Sequence, residues 1–142
     1  MLNNKTVYPV LPASDIRRAQ RFYEEKLGLK VILEDPSPGI TLRAGRDTMI
    51  YIYQRAPTRA DHTVAAFDVD DIEAEMRQLR SKGVQFEEYD MPGIKTVNGV
   101  ATMPDGDKAA WFKDTEGNIL ALEQMSKDVK EKVLARMVIA RA

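Results

Sequence analysis

The sequence has no cysteine and only one histidine, and both shortages limit its chemistry. The absence of cysteine from all 142 residues excludes disulfides, thiolate metal sites and cysteine nucleophiles, and it is compatible with a reducing compartment. Because His62 is the only histidine, a pair of histidine ligands at helical spacing is impossible. The chain also lacks a phosphate-binding glycine loop and a Gly-x-Ser-x-Gly nucleophile motif. No common catalytic motif is therefore indicated.

The chain also lacks an excess of charge and any long apolar run. Its 21 Lys and Arg residues nearly balance 22 Asp and Glu residues, so there is no general attraction to nucleic acid or to anionic membranes. Residues 1–5 have no signal-peptide core, and no apolar run reaches membrane-spanning length. We expect a soluble cytoplasmic protein with one compact domain and no nucleic-acid or membrane partner.

What the sequence does contain is the same pattern twice. Asp15-Ile16 begins a helical run that ends at Leu27-Gly28-Leu29, and Asp71-Ile72 begins another that ends at Lys82-Gly83-Val84. Each run has apolar residues at helical spacing and is followed by a strand pattern. Two similar halves predict a fold of paired modules with a ligand site at the seam.

The first half reads as β-α-β-β-β. Its helix begins at Ser14 or Asp15, either of which can accept hydrogen bonds from the free amides of the first turn. Runs of β-formers bounded by Pro, Gly and Asp turns define the strands. The predicted strands are residues 6–11, ended by Pro12, then 30–34, 41–44 and 48–54.

The second half repeats this order. Its predicted strands are residues 63–69, 84–89, 100–103, 109–113 and 119–124, and its helix begins near Asp71. Residues 90–99 contain Pro92, Gly93, Asn98 and Gly99 and are predicted to be a mobile loop. A final helix from Ser126 carries an apolar stripe, which we expect to pack on its own sheet or on a sister subunit. The stripe consists of Val129, Val133, Leu134, Met137 and Val138.

Three of these segments together resemble the vicinal oxygen chelate superfamily, which includes glyoxalase I, extradiol dioxygenases, fosfomycin-resistance enzymes and bleomycin-resistance proteins. They are Ser14-Asp15-Ile16 through Phe22-Tyr23-Glu24-Glu25-Lys26-Leu27-Gly28-Leu29, Phe67-Asp68-Val69-Asp70-Asp71-Ile72, and Trp111-Phe112-Lys113-Asp114-Thr115-Glu116-Gly117-Asn118-Ile119-Leu120. The resemblance covers about residues 7–123. It implies an α+β fold in which two tandem βαβββ modules form curved mixed sheets around a cavity, usually in a dimer.

The resemblance also implies domain limits. A single glyoxalase/bleomycin-resistance-like domain would cover residues 1–142. Module one would occupy about residues 5–55 and module two about 61–125, and the C-terminal helix would follow at about 126–140.

Metal enzymes of this superfamily take ligands from the first and fourth strands of each module, which the resemblance places at Tyr8, Tyr51, Val64 and Ala121. Tyrosine is a poor substitute for the expected ligands, and valine and alanine cannot bind a metal. His62 and Glu123 lie two residues from Val64 and Ala121 on the same strand faces, but in opposite directions. Four residues of offset separate them by roughly 13 Å along parallel strands, too far to share an ion. We predict no metal and no cofactor.

A small-molecule site is the stronger expectation. Tyr8, Tyr51 and Tyr53 would offer flat apolar surface and hydroxyls to an aromatic or amphipathic ligand, with Trp111 as a further wall, although ordinary aromatic packing explains them equally well. His62 is either an exposed strand-entry residue or a ligand-contacting acid or base, and Glu123 is either a solvated strand end or a polar anchor. Asp68 either points into the cavity or caps the second helix. The candidate ligand-binding residues are Tyr8, Tyr51, Tyr53, His62, Val64, Asp68, Trp111, Ala121 and Glu123, and none is assigned a catalytic role.

Three functional hypotheses follow. The leading one is a metal-independent, homodimeric small-molecule-binding protein similar to bleomycin-resistance proteins. The second is a glyoxalase-like lyase or isomerase, or another enzyme of the superfamily, so whether the protein is an enzyme stays open. The third is a dimeric interaction module that uses the C-terminal helix.

Overall fold

The computed structural model describes residues 1–141, which form ten strands and three α-helices. The strands are β1 (Val10–Ala13), β2 (Lys30–Asp35), β3 (Gly39–Arg43), β4 (Met49–Gln54), β5 (Thr63–Asp68), β6 (Asp90–Met91), β7 (Ile94–Val97), β8 (Val100–Thr102), β9 (Lys108–Lys113) and β10 (Ile119–Gln124). The helices are α1 (Ile16–Arg21), α2 (Ile72–Ser81) and α3 (Lys127–Arg141). This mixed α+β content confirms the predicted fold class.

The chain divides into two compact units. The first unit comprises Met1–Ala65 together with Lys113–Ile119, and the second comprises Ala66–Phe112 together with the chain from Leu120 onward. A short segment from late in the sequence thus belongs to the first unit. The predicted module boundaries, about residues 5–55 and 61–125, stay a prediction.

The first unit contains a four-stranded sheet in the order β1-β4-β3-β2. Strand β1 runs parallel to β4, with Val10 opposite Tyr51 and Pro12 opposite Tyr53, whereas β4, β3 and β2 pair antiparallel. Side chains alternate between the two faces of a strand, and one face of this sheet is apolar and buried. That face consists of Leu11, Ala13, Ile40, Leu42, Ile50 and Ile52.

Helix α1 contributes its own buried residues, Ile16 and Ala19, to the core of the first unit. Its N-cap is Asp15, whose carboxylate accepts a hydrogen bond from the amide of Arg18 (3.0 Å). The helix continues into a π-helical turn, Phe22–Lys26, and the chain then reverses at Gly28, which has a φ of +72°. A glycine is favoured there because other residues rarely adopt positive φ. The predicted helix and its glycine stop are confirmed.

The second unit contains most of a six-stranded sheet in the order β5-β10-β9-β8-β7-β6. Helix α2 buries Ile72, Met76 and Leu79, the apolar stripe that its 3.6-residue period predicts. Asp71 caps this helix by accepting from the amide of Ala74 (3.0 Å). Asp68 therefore does not cap α2, and it lies exposed at the end of β5.

Two predictions for the second unit are wrong. Residues 84–89 do not form a regular strand, since only a bridge between Phe86 and Phe112 occurs there. Residues 90–99 are not a loop, because β6 and β7 pair within them. Asn98 (φ +52°) and Gly99 (φ +81°) form the tight turn between β7 and β8, and two successive positive φ values match the strand twist of a hairpin.

The predicted first strand, residues 6–11, is also displaced. Strand β1 begins at Val10, includes Pro12 and ends at Ala13. Proline is tolerated because β1 is an edge strand of the four-stranded sheet, where its missing amide hydrogen removes no central ladder bond. Tyr8 consequently precedes the strand.

Helix α3 begins after Ser126, whose hydroxyl accepts from the amide of Val129 (3.3 Å). Its apolar stripe is largely exposed: the exposed fractions are 39% for Val133, 53% for Leu134 and 52% for Met137. Packing of this stripe on its own sheet, one of the two predicted alternatives, is therefore wrong. None of the helices within residues 1–141 is long and apolar enough to cross a membrane.

Candidate functional site

The open face of the four-stranded sheet carries the aromatic side chains of β4. Tyr51 and Tyr53 alternate with the buried Ile50 and Ile52, and both tyrosines are half-buried. Val10 lies opposite Tyr51 on the neighbouring strand and is 51% exposed. The sheet therefore offers a ligand flat aromatic surface backed by a packed core.

A polar cluster completes this face at the turn between β2 and β3. The Tyr51 hydroxyl donates to Oδ2 of Asp35 (2.9 Å), and the Ser37 hydroxyl donates to Oδ1 of the same carboxylate. Hydrogen bonds from Ser37, and then from Tyr51, lower the pKa of Asp35 below its ordinary value. Asp35 is therefore a carboxylate at neutral pH, and it fixes the orientation of the Tyr51 ring.

Gly39 makes room for this pair. Its missing side chain would point into the ring of Tyr51, with a Cβ only 2.7 Å from Tyr51 Cζ and 2.9 Å from Asp35 Oδ2. Contacts that short displace one of the partners. The absence of a side chain at Gly39 thus allows the tyrosine to reach the carboxylate.

Two cavities adjoin the cluster and share Pro38 and Gln54. One, of about 350 Å³, is lined by Val10, Ser37, Pro38, Tyr51, Tyr53 and Gln54. The other, of about 430 Å³, is lined by residues at the start of α1 and at the β2–β3 turn, among them Asp15, Arg17, Glu34 and Asp35. Both volumes lie within the range of small-molecule sites.

The polar groups of these cavities are mainly acceptors. Arg17 is the one cation lining either cavity within residues 1–141, and it donates to Glu34 (3.2 Å). The Tyr53 hydroxyl accepts from Arg55 at 3.5 Å, and the Tyr51 hydroxyl, which donates a hydrogen bond to Asp35, keeps its lone pairs as acceptors. Chemically, the site suits a ligand that combines an aromatic body with a cationic or hydrogen-bond-donating group.

The structure brings together only some of the predicted site residues. Tyr51 and Tyr53 share a face, whereas Tyr8 lies outside β1 and is 43% exposed. His62 precedes β5 with its side chain 72% exposed, and its Nδ1 is 3.8 Å from a carboxylate oxygen of Asp61. That position agrees with an exposed strand-entry residue.

The remaining predicted residues present little side-chain surface to a ligand, or lie on strands of the six-stranded sheet and not on the tyrosine face. Trp111 is buried, with its ring packed edge-on against Tyr89 at 5.4 Å between centroids, and Ala121 is completely buried. Val64 is half-buried on β5, and Glu123 is exposed on β10, where its carbonyl accepts from the amide of Val69 (2.9 Å).

The residues do not fit a metal ion of the superfamily's kind. The positions that the resemblance assigns to metal ligands hold Tyr8, Tyr51, Val64 and Ala121, and Tyr51 is hydrogen-bonded to Asp35. Among residues 1–141, no three His, Cys, Asp or Glu side chains are grouped so that they could hold a metal. Three or four such ligands at about 2 Å are the usual requirement of a transition-metal site.

Sequence reasoning missed Asp35, Ser37 and Gly39 as site residues. It treated residues 35–39 only as a turn, which they are, since the Ser37 amide also donates to Asp35 (3.1 Å). An Asp two residues before a Ser in a turn signals this local bond. Nothing local signals that the same carboxylate also receives the hydroxyl of Tyr51, sixteen residues away.

Structural comparison finds the same fold in several solved proteins. A bleomycin resistance determinant encoded on the transposon Tn5 superposes with a TM-score of 0.67 at 24% identity, covering 87% of this chain and 99% of that one. A lactoylglutathione lyase from Agrobacterium tumefaciens gives 0.65 at 18%, covering 85% and 93%. An antibiotic-binding protein from a Streptomyces species gives 0.61 at 22%, covering 87% and 98%. These identities establish likeness of fold alone.

Sequence comparison gives the family. A search against curated proteins finds no match. The sequence model of the Glyoxalase/Bleomycin resistance protein/Dioxygenase superfamily, however, matches residues 5–122, which is most of the chain and includes both halves of the repeat. The chain therefore belongs to the glyoxalase/bleomycin resistance protein/dioxygenase superfamily.

Proposed function

We propose that the protein binds a small aromatic or amphipathic molecule without a metal, as a bleomycin-resistance protein would. The observation that carries the proposal is the hydrogen bond from Tyr51 to Asp35 on an otherwise open aromatic face. At a position where metal enzymes of the superfamily have a ligand, this chain has a phenol that is already engaged by a carboxylate. The fixed ring and the acceptor-rich cavities beside it support ligand binding more than metal chemistry.

The charge of the site supports a cationic group on the ligand. Asp15, Glu34 and Asp35 line the larger cavity, and Arg17 is paired with Glu34. A cation over the face of Tyr51 or Tyr53 would gain about 0.5–2 kcal/mol from the ring quadrupole. An organic anion would meet uncompensated carboxylates instead.

Calorimetric titration tests this function directly. We expect metal-free bleomycin, or a member of a panel of aromatic amines, to bind one site per chain in the micromolar range or below, and Zn²⁺, Ni²⁺ and Mn²⁺ to show no tight stoichiometric site. Failure of every panel member would contradict the ligand class. A tight site for a divalent metal on the protein alone would contradict the metal-free part.

Two variants test whether Tyr51 is the contact. Tyr51→Phe removes the hydroxyl that orients the ring, and Gly39→Ala places a methyl group where the ring lies. Each substitution disrupts the hydrogen bond from Tyr51 to the Asp35 carboxylate. We expect each to weaken ligand binding about tenfold, the effect of losing one hydrogen bond to a charged group. Gly45→Ala is the matched control, because a Cβ there meets nothing within 4 Å. Wild-type affinity in both site variants would exclude Tyr51 from the site.

We also propose that the protein is a homodimer that uses α3. Val133, Leu134, Met137 and Val138 lie on one side of this helix and are each at least 39% exposed, and burial of such side chains contributes roughly 1.5–3 kcal/mol apiece. A second copy of the chain is the occupant favoured by the family, whose members often dimerise.

We expect Leu134→Lys with Met137→Lys to reduce the mass measured by light scattering from that of a dimer to that of a monomer. Lys132→Ala is the control, since its amine pairs with Asp128 on the same helix (3.2 Å) and its loss leaves the apolar stripe intact. A wild-type mass in the double variant would place the dimer interface elsewhere.

A further inference from the structure

A second cavity, of about 530 Å³, lies in the second unit between α2 and the strands β7, β8 and β9. It is lined by four cations and a single carboxylate, which is unexpected in a chain whose net charge is -1. We call it the basic groove; it is formed by Glu73, Met76, Arg77, Arg80, Lys95, Val97, Asn98, Val100, Thr102 and Lys108.

The sequence of α2 explains one wall of the groove. Met76 and Arg77 lie three and four residues after Glu73, and Arg80 lies three residues after Arg77, so all four lie on one side of the helix. Met76 is 1% exposed and forms part of the floor, while both arginines are exposed. Arg77 and Arg80 are three residues apart on the helix and repel each other, so their placement does not stabilise α2.

Two of the four cations have partners. Lys108 donates to the groove's carboxylate, Glu73 (3.0 Å). Arg80 donates to the carbonyl of Asn98 (2.9 Å), and its guanidinium lies 5.3 Å from the ring centroid of Phe86. These contacts hold Arg80 against the wall of the groove and leave most of its five donors for other acceptors.

The other two cations are not neutralised. Within residues 1–141, neither Arg77 nor Lys95 has a carboxylate oxygen within 4.0 Å. The cavity beside helix α1 in the first unit differs, because its lining cation, Arg17, is paired with Glu34. The groove at α2, unlike that cavity, combines a small-molecule volume with cations on the helix and on β7 that have no carboxylate partner among residues 1–141.

The floor of the groove is apolar. Val97 is 67% exposed and Val100 is half-buried, and both line the groove together with the cations of the helix and of the strands. Exposed apolar surface under a ring of charge suits a ligand with an anionic head and an apolar body. The planar guanidinium of arginine can donate two parallel hydrogen bonds to a phosphate, and lysine binds phosphate as a point charge.

We propose that the basic groove binds a small organic phosphate, with Arg77 and Lys95 contacting the phosphate and with Val97 and Val100 beneath the apolar part. This site is independent of the tyrosine site, since every residue that forms it belongs to the second unit. The positive charge of the groove favours an anionic ligand, whereas the tyrosine site favours a cationic one.

Phenyl phosphate is a suitable probe, and its binding can be followed by calorimetry and by the amide NMR shifts of Val97 and Asn98. Wild-type protein should bind one equivalent, more tightly than it binds inorganic phosphate. Arg77→Gln with Lys95→Gln should weaken phenyl phosphate binding about tenfold or more, because each lost contact is a hydrogen bond between charged groups.

The matched control is Lys82→Gln with Lys127→Gln, which removes the same charge from exposed positions of the second unit outside the groove. This control should bind phenyl phosphate with wild-type affinity. Equal weakening in the two double variants would mean that only net charge matters and would overturn the site. So would the absence of shifts at Val97 and Asn98, or equal affinity for phenyl phosphate and inorganic phosphate.

Discussion

Asp114→Ala should destabilise the protein by about 4 kcal/mol, the largest effect that we expect from a single polar substitution. The carboxylate is 7% exposed and accepts four hydrogen bonds. They come from the Tyr23 hydroxyl (2.7 Å), the amides of Glu116 and Asn118 (both 2.9 Å) and the side-chain amide of Asn118 (2.8 Å). Alanine would leave these donors without an acceptor, and each buried unpaired donor costs about 1–3 kcal/mol. Urea unfolding would measure the loss as a shift in midpoint at unchanged m-value.

Tyr23 is the partner that makes this effect large. The tyrosine is completely buried, and burial, together with the neighbouring Asp114, raises the pKa of its hydroxyl well above 10.0, so that the group stays a neutral donor. Tyr23→Phe alone should cost about 1 kcal/mol, because Asp114 keeps its other donors. In the double variant, Tyr23→Phe should recover part of the loss caused by Asp114→Ala, since no buried hydroxyl is then left unpaired.

Asp105→Ala is the matched control for Asp114→Ala. Asp105 also accepts from an amide two residues later, that of Asp107 (3.0 Å), but the bond is exposed. We expect a change within about 0.5 kcal/mol, which is usual for a surface substitution. If Asp114→Ala cost no more than Asp105→Ala, the buried network around Asp114 would not contribute to stability.

Local patterns predicted the elements whose causes are local. The glycine that ends each helix, the aspartate that caps it and the apolar stripe within it all lie within one helix length, and strand β10 was predicted with both ends correct. The same reasoning went wrong where one pattern has two outcomes. Asn98-Gly99 marks either a loop or a hairpin, and the strand pairing on both sides decides for the hairpin.

The candidate site was only half predictable. Alternation along β4 placed Tyr51 and Tyr53 on one face from the sequence alone. The carboxylate that holds Tyr51 comes from another strand, and its presence depends on the pairing of β3 with β4 and on the small residue at Gly39. Contacts of this kind depend on register and on side-chain volume, and neither can be derived from a single segment.

The assignment of residues 113–119 to the first unit is a clearer case of the same limit. In the sequence this segment follows β9 and reads as a turn of the second module. In the structure Glu116 accepts from the amides of Ser14 (2.8 Å) and Asp15 (3.1 Å), from the Ser14 hydroxyl and from Arg18 (3.0 Å). These residues form the start of α1, about a hundred positions earlier, so no periodicity could have predicted the contact.

Glu116→Gln should therefore destabilise the start of α1 and lower the free energy of unfolding by about 3 kcal/mol at neutral pH. The Glu116 side chain is 3% exposed, and breaking a buried charge pair costs about 3–5 kcal/mol. Arg18 is partly exposed, so water can hydrate it once its partner is gone. The expected cost therefore lies at the lower end of that range. A glutamine also turns one acceptor oxygen into a donor, which would face the amide of either Ser14 or Asp15. Chemical unfolding at neutral pH would measure the difference.

The same substitution should remove a pH dependence of known sign. Burial acts to raise the pKa of Glu116, but the hydrogen bonds from Ser14, Asp15 and Arg18 outweigh it, and the pKa lies below its ordinary value of 4.5. A group whose pKa is lowered on folding contributes stability that is fully present above the unfolded pKa and is lost as the pH falls through the folded pKa. The difference between wild type and Glu116→Gln should thus be constant from about pH 7 to about pH 5 and shrink at lower pH.

Glu34→Gln provides the comparison for Glu116→Gln. Glu34 also pairs with an arginine of α1, Arg17 (3.2 Å), but the side chains are 51% and 68% exposed, and pairs of this kind contribute about 0–1 kcal/mol. Its substitution should leave both the stability and the pH dependence close to those of wild type. Two outcomes would contradict the prediction: equal effects of the two substitutions, or a stability difference between wild type and Glu116→Gln that grows as the pH falls. Either would show that the ionised Glu116 carboxylate does not hold residues 113–119 against α1.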